Sequence, residues 1–217
     1  MAKYLVEDEV GFDSELIGFP KLGGCMAVVL QTDQGLYGFH ITPGNARKSP
    51  GFALFIQNNG LHGNPVHLYG SCYWNNRYLH AFGSQKSQWE KEMKEIATAI
   101  GYHGPASGFD TSAAMSHADK AMNRTTKTHS GSNYVEYRRV AATNKCRIFY
   151  KKNIKMALTF GNVDLADPVQ KVIPMRAKLG AFDLVNSAQI TTAAHLAATA
   201  TVMHEAGFFG KHSFTIP

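Results

Sequence analysis

Between Leu22 and Pro43 two apolar runs stand on either side of Thr32-Asp33-Gln34-Gly35, a turn-like segment. Such a pattern predicts a β-hairpin, with Cys25 opening the first strand and His40 late in the second. A turn centred between Asp33 and Gln34 sets Ala27 opposite His40 and Thr42 opposite Cys25. Because side chains alternate across a strand, Cys25, Ala27, Val29, Leu36, Gly38, His40 and Thr42 share one face. Cys25 and His40 become diagonal neighbours, with Cβ atoms about 7 Å apart or somewhat less, within reach of an imidazole. The opposite face reads Met26, Val28, Leu30, Tyr37, Phe39 and Ile41, all large and apolar. That face is expected to cover a core, while Ala27 and Gly38 leave room around the thiol and the imidazole.

The rest of the 217-residue chain bounds what this hairpin can belong to. Hydrophobic residues at 44% and charged residues at 18% describe a globular chain, read here as a single catalytic domain over 1–217. The N-terminus has no basic segment ahead of a long apolar stretch, so no secretory signal is expected. No apolar run is long enough for a transmembrane helix, so no membrane association is expected either. Three widely spaced cysteines, Cys25, Cys72 and Cys146, without a CxxC pair, argue against a disulfide framework or a cysteine-rich zinc site. They fit a single working thiol better. The net charge of +6 is uneven: from Lys120 to Lys155 ten Lys and Arg face Glu136 alone, leaving the remainder net acidic. Such asymmetry marks a solvated face or a docking surface for an acidic partner.

In chain order, residues 1–20 read as a leader with a turn at Gly18-Phe19-Pro20, and 43–51 as a loop. Strands are predicted from Phe52 to Gln57, from Pro65 to Trp74 and from Arg77 to Phe82. Ser87 to Ile100 is the strongest helix: Ser87 and Glu90 match a capping box, and Trp89, Met93, Ile96 and Ile100 fall on one face before Gly101. Residues 101–132 predict irregular structure with a helix near Ser112 to Asn123. A second, basic hairpin is expected from Tyr134 to Val140 and Cys146 to Lys152, then a strand at Lys155 to Phe160. Loops and short elements should fill Asn162 to Leu184, and a largely buried helix Ser187 to Ala206, closed by Gly207. The expected fold class is α/β, a mostly antiparallel β-sheet or β-sandwich layered with α-helices.

Several readings of these residues compete. A cysteine at a strand start is often a packing residue. Cys72 and His80 could pair around Asn75-Asn76, but that register sets Cys72 opposite Leu79. His62, His67 and His80 have no zinc-helix spacing and no nearby carboxylate. The basic stretch interleaves with Tyr134, Tyr137, Phe149 and Tyr150, a composition that also suits nucleic acid.

The segment Leu22-Gly23-Gly24-Cys25, followed by a strand, a Gly-bearing turn and Phe39-His40-Ile41 before Pro43, resembles the Leu-Ser-Gly-Cys plus His arrangement of bacterial protein glutamine deamidases. That group includes the catalytic domain of cytotoxic necrotizing factor, Burkholderia lethal factor and the chemotaxis receptor deamidases. The segment Tyr78-Leu79-His80-Ala81-Phe82-Gly83 before Trp89 is similar to one downstream of the site in Burkholderia lethal factor. The matches span about a third of the chain. The resemblance implies a deamidase-toxin-like fold, Cys25 as nucleophile, His40 as base, and an oxyanion site at the backbone N–H groups of Gly24 and Cys25. The implied reaction converts a substrate protein's glutamine to glutamate through a thioester, or attaches an amine to it as a transglutaminase, and would need no metal and no cofactor. It also implies a bacterial toxin or effector, held in the bacterial cytoplasm before export by a non-classical route and then acting in a host cytosol. The basic 120–155 region would dock the substrate protein. Several members carry a Thr six residues before the Cys that orients the His, where this chain has Phe19. Either a backbone carbonyl or another side chain must take that role, with Thr42, Asn45, Gln57 and His67 as candidates. The competing class is a non-enzymatic basic binding domain for nucleic acid or an acidic protein.

Overall fold

The computed structural model describes residues 3–79, 82–111, 133–152, 167–170, 173, 175–179, 184–186, 192–195, 204–205 and 211–217. In order these residues form β1 (Glu9–Asp13), β2 (Leu16–Leu22), β3 (Met26–Thr32), β4 (Leu36–Ile41), α1 (Ser49–Asn58), β5 (Pro65–Cys72), α2 (Trp74–Arg77), α3 (Gln85–Ile100) and β6 (Gly104–Asp110). They continue with β7 (Asn133–Val140), β8 (Lys145–Lys152), β9 (Asp167–Gln170), β10 (Met175–Leu179), β11 (Leu184–Asn186), β12 (Thr192–His195), β13 (His204–Glu205) and β14 (Lys211–Ile216). Eight strands make one sheet in the order β11-β10-β1-β4-β3-β5-β6-β14, and four make a second, β13-β8-β7-β2, with β12-β9 as a separate pair. Among these pairings β5–β6 is parallel and the rest are antiparallel, so the architecture is mixed α/β and mostly antiparallel.

The β3–β4 hairpin has the predicted register, with Ala27 opposite His40 and Met26 opposite Ile41. Thr32 closes its turn, its hydroxyl accepting the N–H groups of Gln34 (3.2 Å) and Gly35 (3.0 Å). Both faces of this hairpin are buried, each in its own core. Met26, Val28, Leu30, Tyr37, Phe39 and Ile41 meet Phe52, Phe55 and Ile56 of α1 and Trp89, Met93 and Ile96 of α3. On the other side Cys25, Ala27, Val29 and Leu36 meet the second sheet through Ile17, Phe19, Leu22, Val135, Tyr137 and Ile148. The hairpin is thus the middle layer of three.

Several elements differ from expectation, each for a physical reason. Residues 52–57, expected as a strand, are the interior of α1. A proline in its first turn and burial of Phe52, Ala53, Phe55 and Ile56 are helical features, but a short run of apolar residues has no readable period. The supposed leader contributes β1 and β2, with a register shift between Phe19 and Leu22 that accommodates Pro20 inside a strand. Where a strand was expected from Arg77, one helical turn, α2, stands over Trp74–Arg77. The α3 cap is Ser84, whose side chain accepts from Ser87 N, while Gly101 (φ +66°) ends the helix as predicted.

Within the stretch read as irregular, β6 is an inner strand of the large sheet. Its small residues make room for α3, because a Cβ on Gly108 would lie 2.1 Å from Trp89 Cζ2. The helix expected over 187–206 is contradicted by β12 and β13, where Thr192 to His195 pair with β9 and His204 and Glu205 pair with β8. Backbone pairing with sheet partners outweighs the Ala-rich composition at these positions, and the rest of 187–206 lies outside the described residues. The basic hairpin forms as β7 and β8. The expected helix at 112–123 and strand at 155–160 lie outside the described residues. Among the described residues no helix is long and apolar enough to cross a membrane.

Candidate functional site

His40 is 1% exposed, and its Nδ1 lies 2.8 Å from the carbonyl oxygen of Leu5. That contact has its origin in Gly38, two residues earlier on the same face of β4. A Cβ on Gly38 would sit 2.8 Å from Leu5 Cδ1, 3.0 Å from Phe19 Cζ and 3.1 Å from Ile17 Cγ2. The space expected to stay open around the thiol and imidazole is therefore filled by these side chains, and seating Leu5 there brings its carbonyl to the imidazole. Leu5 N donates to Gly18 O (2.8 Å) and Asp8 N to His40 O (2.8 Å), which anchors the segment at both ends. Phe19 packs edge-on against the His40 ring, centroids 5.9 Å apart. With Nδ1 donating to a carbonyl, the neutral ring presents Nε2 as an acceptor. That Nε2 is buried without a hydrogen-bond partner among the described residues.

Cys25 precedes β3, is 6% exposed, and by register is the diagonal neighbour of His40. Its Sγ donates to Glu7 Oε1 at 3.7 Å. Burial, reinforced by the Glu7 charge and opposed by Arg77, pushes the thiol up to about 12 from its ordinary 9.0. Burial also pushes His40 below its ordinary 6.5, against the opposite pull of the Leu5 carbonyl, Glu7 and Asp8. Desolvation is the largest influence on both groups and in each favours the neutral form. The resting couple is a neutral thiol and a neutral imidazole rather than an ion pair.

Arg77 braces the backbone on either side of the hairpin's open end, next to the thiol. Its Nη1 donates to the carbonyls of Gly24 (2.8 Å) and Ile41 (3.2 Å), tying the two strand ends together. Its other side forms an ion pair with Glu92, to which Nε donates at 2.8 Å and which also accepts from Tyr78 (2.8 Å). A peptide plane points its N–H opposite its carbonyl, so fixing Gly24 O also fixes the Cys25 N–H direction. Gly24 is tightly surrounded: a Cβ there would meet Pro43 Cγ at 3.0 Å and Asn76 Nδ2 at 3.7 Å.

None of the four side chains considered for orienting His40 is given that role by these contacts. Thr42 Oγ1 donates to Asp8 Oδ1 (3.0 Å) and is itself hydrogen-bonded by Asn45. Gln57 is exposed on α1, on the far side of the sheet. His67 Nε2 meets Ser107 Oγ at 2.9 Å, and its ring stacks on Tyr69. Cys72 and Cys146 are pushed up by burial, and His80 lies outside the described residues. Among the described residues no three His, Cys, Asp or Glu converge on a metal site.

The basic hairpin splits into two parts. Arg139 donates to Ser14 O (2.8 Å) and Asp33 O (2.9 Å), clamping two turns. Arg138 and Arg147, directly opposite each other, face the Phe149 ring at 4.2 and 5.1 Å, and Arg138 pairs with the buried Glu136. Leu5, Glu7, Asn76 and Arg77 carry no sequence signal, since they reach the site from two segments remote from Cys25, one before it and one well after it. Compared with known proteins, the sequence matches no family model and no curated protein.

Proposed function

We propose that the protein is a cysteine-dependent protein glutamine deamidase of the kind found among bacterial toxins and effectors. The observation that carries this reading is His40: Nδ1 held by the Leu5 carbonyl at 2.8 Å, Nε2 unpartnered among the described residues, one diagonal step from Cys25. A backbone carbonyl in that role answers the absence of the family's Thr at Phe19. The layered, mostly antiparallel α/β architecture is compatible with a deamidase-toxin-like fold.

The reaction follows from a neutral couple. His40 Nε2 takes the thiol proton as Sγ bonds to the glutamine carboxamide carbon, so charge separation develops only in the transition state. The oxyanion is met by the Cys25 N–H, oriented through Arg77 and Gly24 O; one such donor is worth about 2.7–4 kcal/mol. The imidazolium returns the proton to nitrogen, the C–N bond breaks and ammonia leaves a thioester. Water, deprotonated by His40, then adds to the thioester carbon. The C–S bond breaks, the thiol regains its proton and glutamate is released. An amine in place of water gives the transglutaminase reaction. The substrate protein docks through the basic hairpin, where Arg138 and Arg147 present two guanidinium groups to an acidic surface, and the enzyme acts in a host cytosol after non-classical export.

The same Arg138, Arg147 and Phe149 cluster favours the second reading, a non-enzymatic basic domain for an acidic protein or nucleic acid. Incubating the protein with a proteome and mapping glutamine-to-glutamate conversions by mass spectrometry separates the two. The deamidase reading expects conversions that disappear with Cys25→Ser. Conversions equal in both samples would reject it.

A further inference from the structure

Glu7 is not a freely ranging surface acid. The turn that presents it is fixed at Asp8, which adopts φ +62°, a left-handed conformation that Asp tolerates better than most non-glycine residues and that is held here by contacts on every side. Here Asp8 N donates to His40 O, Leu179 N donates to Asp8 O (2.8 Å), Thr42 donates to one carboxylate oxygen and Lys48 pairs with the other at 2.7 Å. The built turn leaves Glu7 exposed with Oε1 3.7 Å from the thiol, while His40 Nε2 has no hydrogen-bond partner among the described residues. In the resting site the thiol therefore keeps its proton and directs it at the Glu7 carboxylate.

A carboxylate at that position has a chemical consequence for whatever approaches Sγ. A primary carboxamide brings two N–H donors and no charge, whereas a carboxylic acid side chain brings only acceptors and a negative charge. We infer that Glu7 is a specificity-determining residue: it accepts from the N–H of the bound carboxamide, displacing the thiol toward His40, and repels the carboxylate product. The identity of the substrate as a glutamine rests on the deamidase reading, but the charge selection belongs to the site itself. The charged groups facing the thiol are Glu7, Asp8 and Arg77. Asp8 is already paired with Lys48 and Arg77 with Glu92, which leaves Glu7 to set the local sign.

Two alkylating reagents isolate this effect. Iodoacetamide is a neutral primary amide and iodoacetate is its anionic counterpart. Both react with the thiolate, so a change in thiol acidity alters both rates alike and cancels in their ratio. The ratio at Cys25, read at peptide level to exclude Cys72 and Cys146, is expected to favour iodoacetamide in the wild-type protein. Glu7→Gln is expected to move it toward iodoacetate by about tenfold, equivalent to ~1.4 kcal/mol, and added salt to shrink the difference. Glu7→Asp should fall between, and Asp8→Asn should move it less.

A ratio unchanged in Glu7→Gln overturns the inference, as does failure of iodoacetamide to reach Cys25 in either protein at alkaline pH. If the ratio shifts but no glutamine conversion is ever found, the deamidase reading falls and the charge selection stands. If conversions depend on Cys25 but the ratio does not move, the inference about Glu7 falls alone.

Discussion

Arg77→Met removes one guanidinium and exposes two separable consequences. The Arg77 and Glu92 side chains are 2% and 12% exposed, so the substitution leaves a largely buried carboxylate without its cation and the carbonyls of Gly24 and Ile41 without their donor. Breaking a buried pair from one side costs about 3–5 kcal/mol. Replacing both partners by neutral groups of similar volume is commonly close to neutral, so Arg77→Met with Glu92→Gln should recover most of that loss. The site should not recover with it. In the double variant Gly24 O is still unheld, and the positive charge that lowers the Cys25 pKa is still gone, so the thiol ionises at higher pH. Urea unfolding of the single and double variants measures the stability, and the pH profile of Cys25 alkylation by iodoacetamide measures the site. The expected result is near-wild-type unfolding of the double variant with an alkylation profile displaced to higher pH. A double variant whose stability and alkylation profile both match wild type would refute the placement of Arg77 as the group that holds and polarises the approach to Cys25.

Gly38→Ala should destabilise the protein by about 1–3 kcal/mol, because the new methyl group must push aside Leu5, Phe19 and Ile17. The same variant should weaken the Leu5 tether, seen by NMR as a displaced or lost His40 Nδ1 proton resonance. Stability should also depend on pH in two directions. His40 stays neutral when folded, so its contribution is present above the ordinary 6.5 and is lost as pH falls through its depressed folded value. Cys25 stays protonated when folded, so its contribution is present below 9.0 and is lost as pH rises toward about 12. Denaturant midpoints across pH should fall on both sides, with His40→Gln flattening the acid limb and Cys25→Ala reducing the alkaline one. Ser84→Ala should cost about 1 kcal/mol through the α3 cap and leave Cys25 alkylation unaltered, which a thermal melt and the same labelling assay check.

The hairpin was legible because a strand has a period of two and a short turn fixes its register; placing the turn at Thr32 to Gly35 was enough to set His40 opposite Ala27. The same logic located Cys25 and His40 on one face. It could not reveal what covers that face, since Ala27 and Gly38 look like open space until Leu5 and Phe19 are brought over them. The group that orients His40 is a main-chain carbonyl, which every residue possesses and no sequence pattern marks. Glu7 and Arg77 come from segments 18 residues before and 52 residues after Cys25, one read as leader and the other as a strand. Phe52 to Gln57 illustrates the remaining limit, a run too short and too apolar for either period to emerge.

The central claim is that Cys25 and His40 work as nucleophile and base toward a glutamine-like carbonyl, and a glutamine-analogue diazoketone tests it without knowledge of the substrate protein. Peptide mapping after labelling should find the adduct at Cys25 and neither at Cys72 nor at Cys146. Labelling should collapse in a His40→Gln protein shown by its thermal melt to be folded. Absence of the adduct from Cys25, or labelling at the same rate without the imidazole, would contradict it.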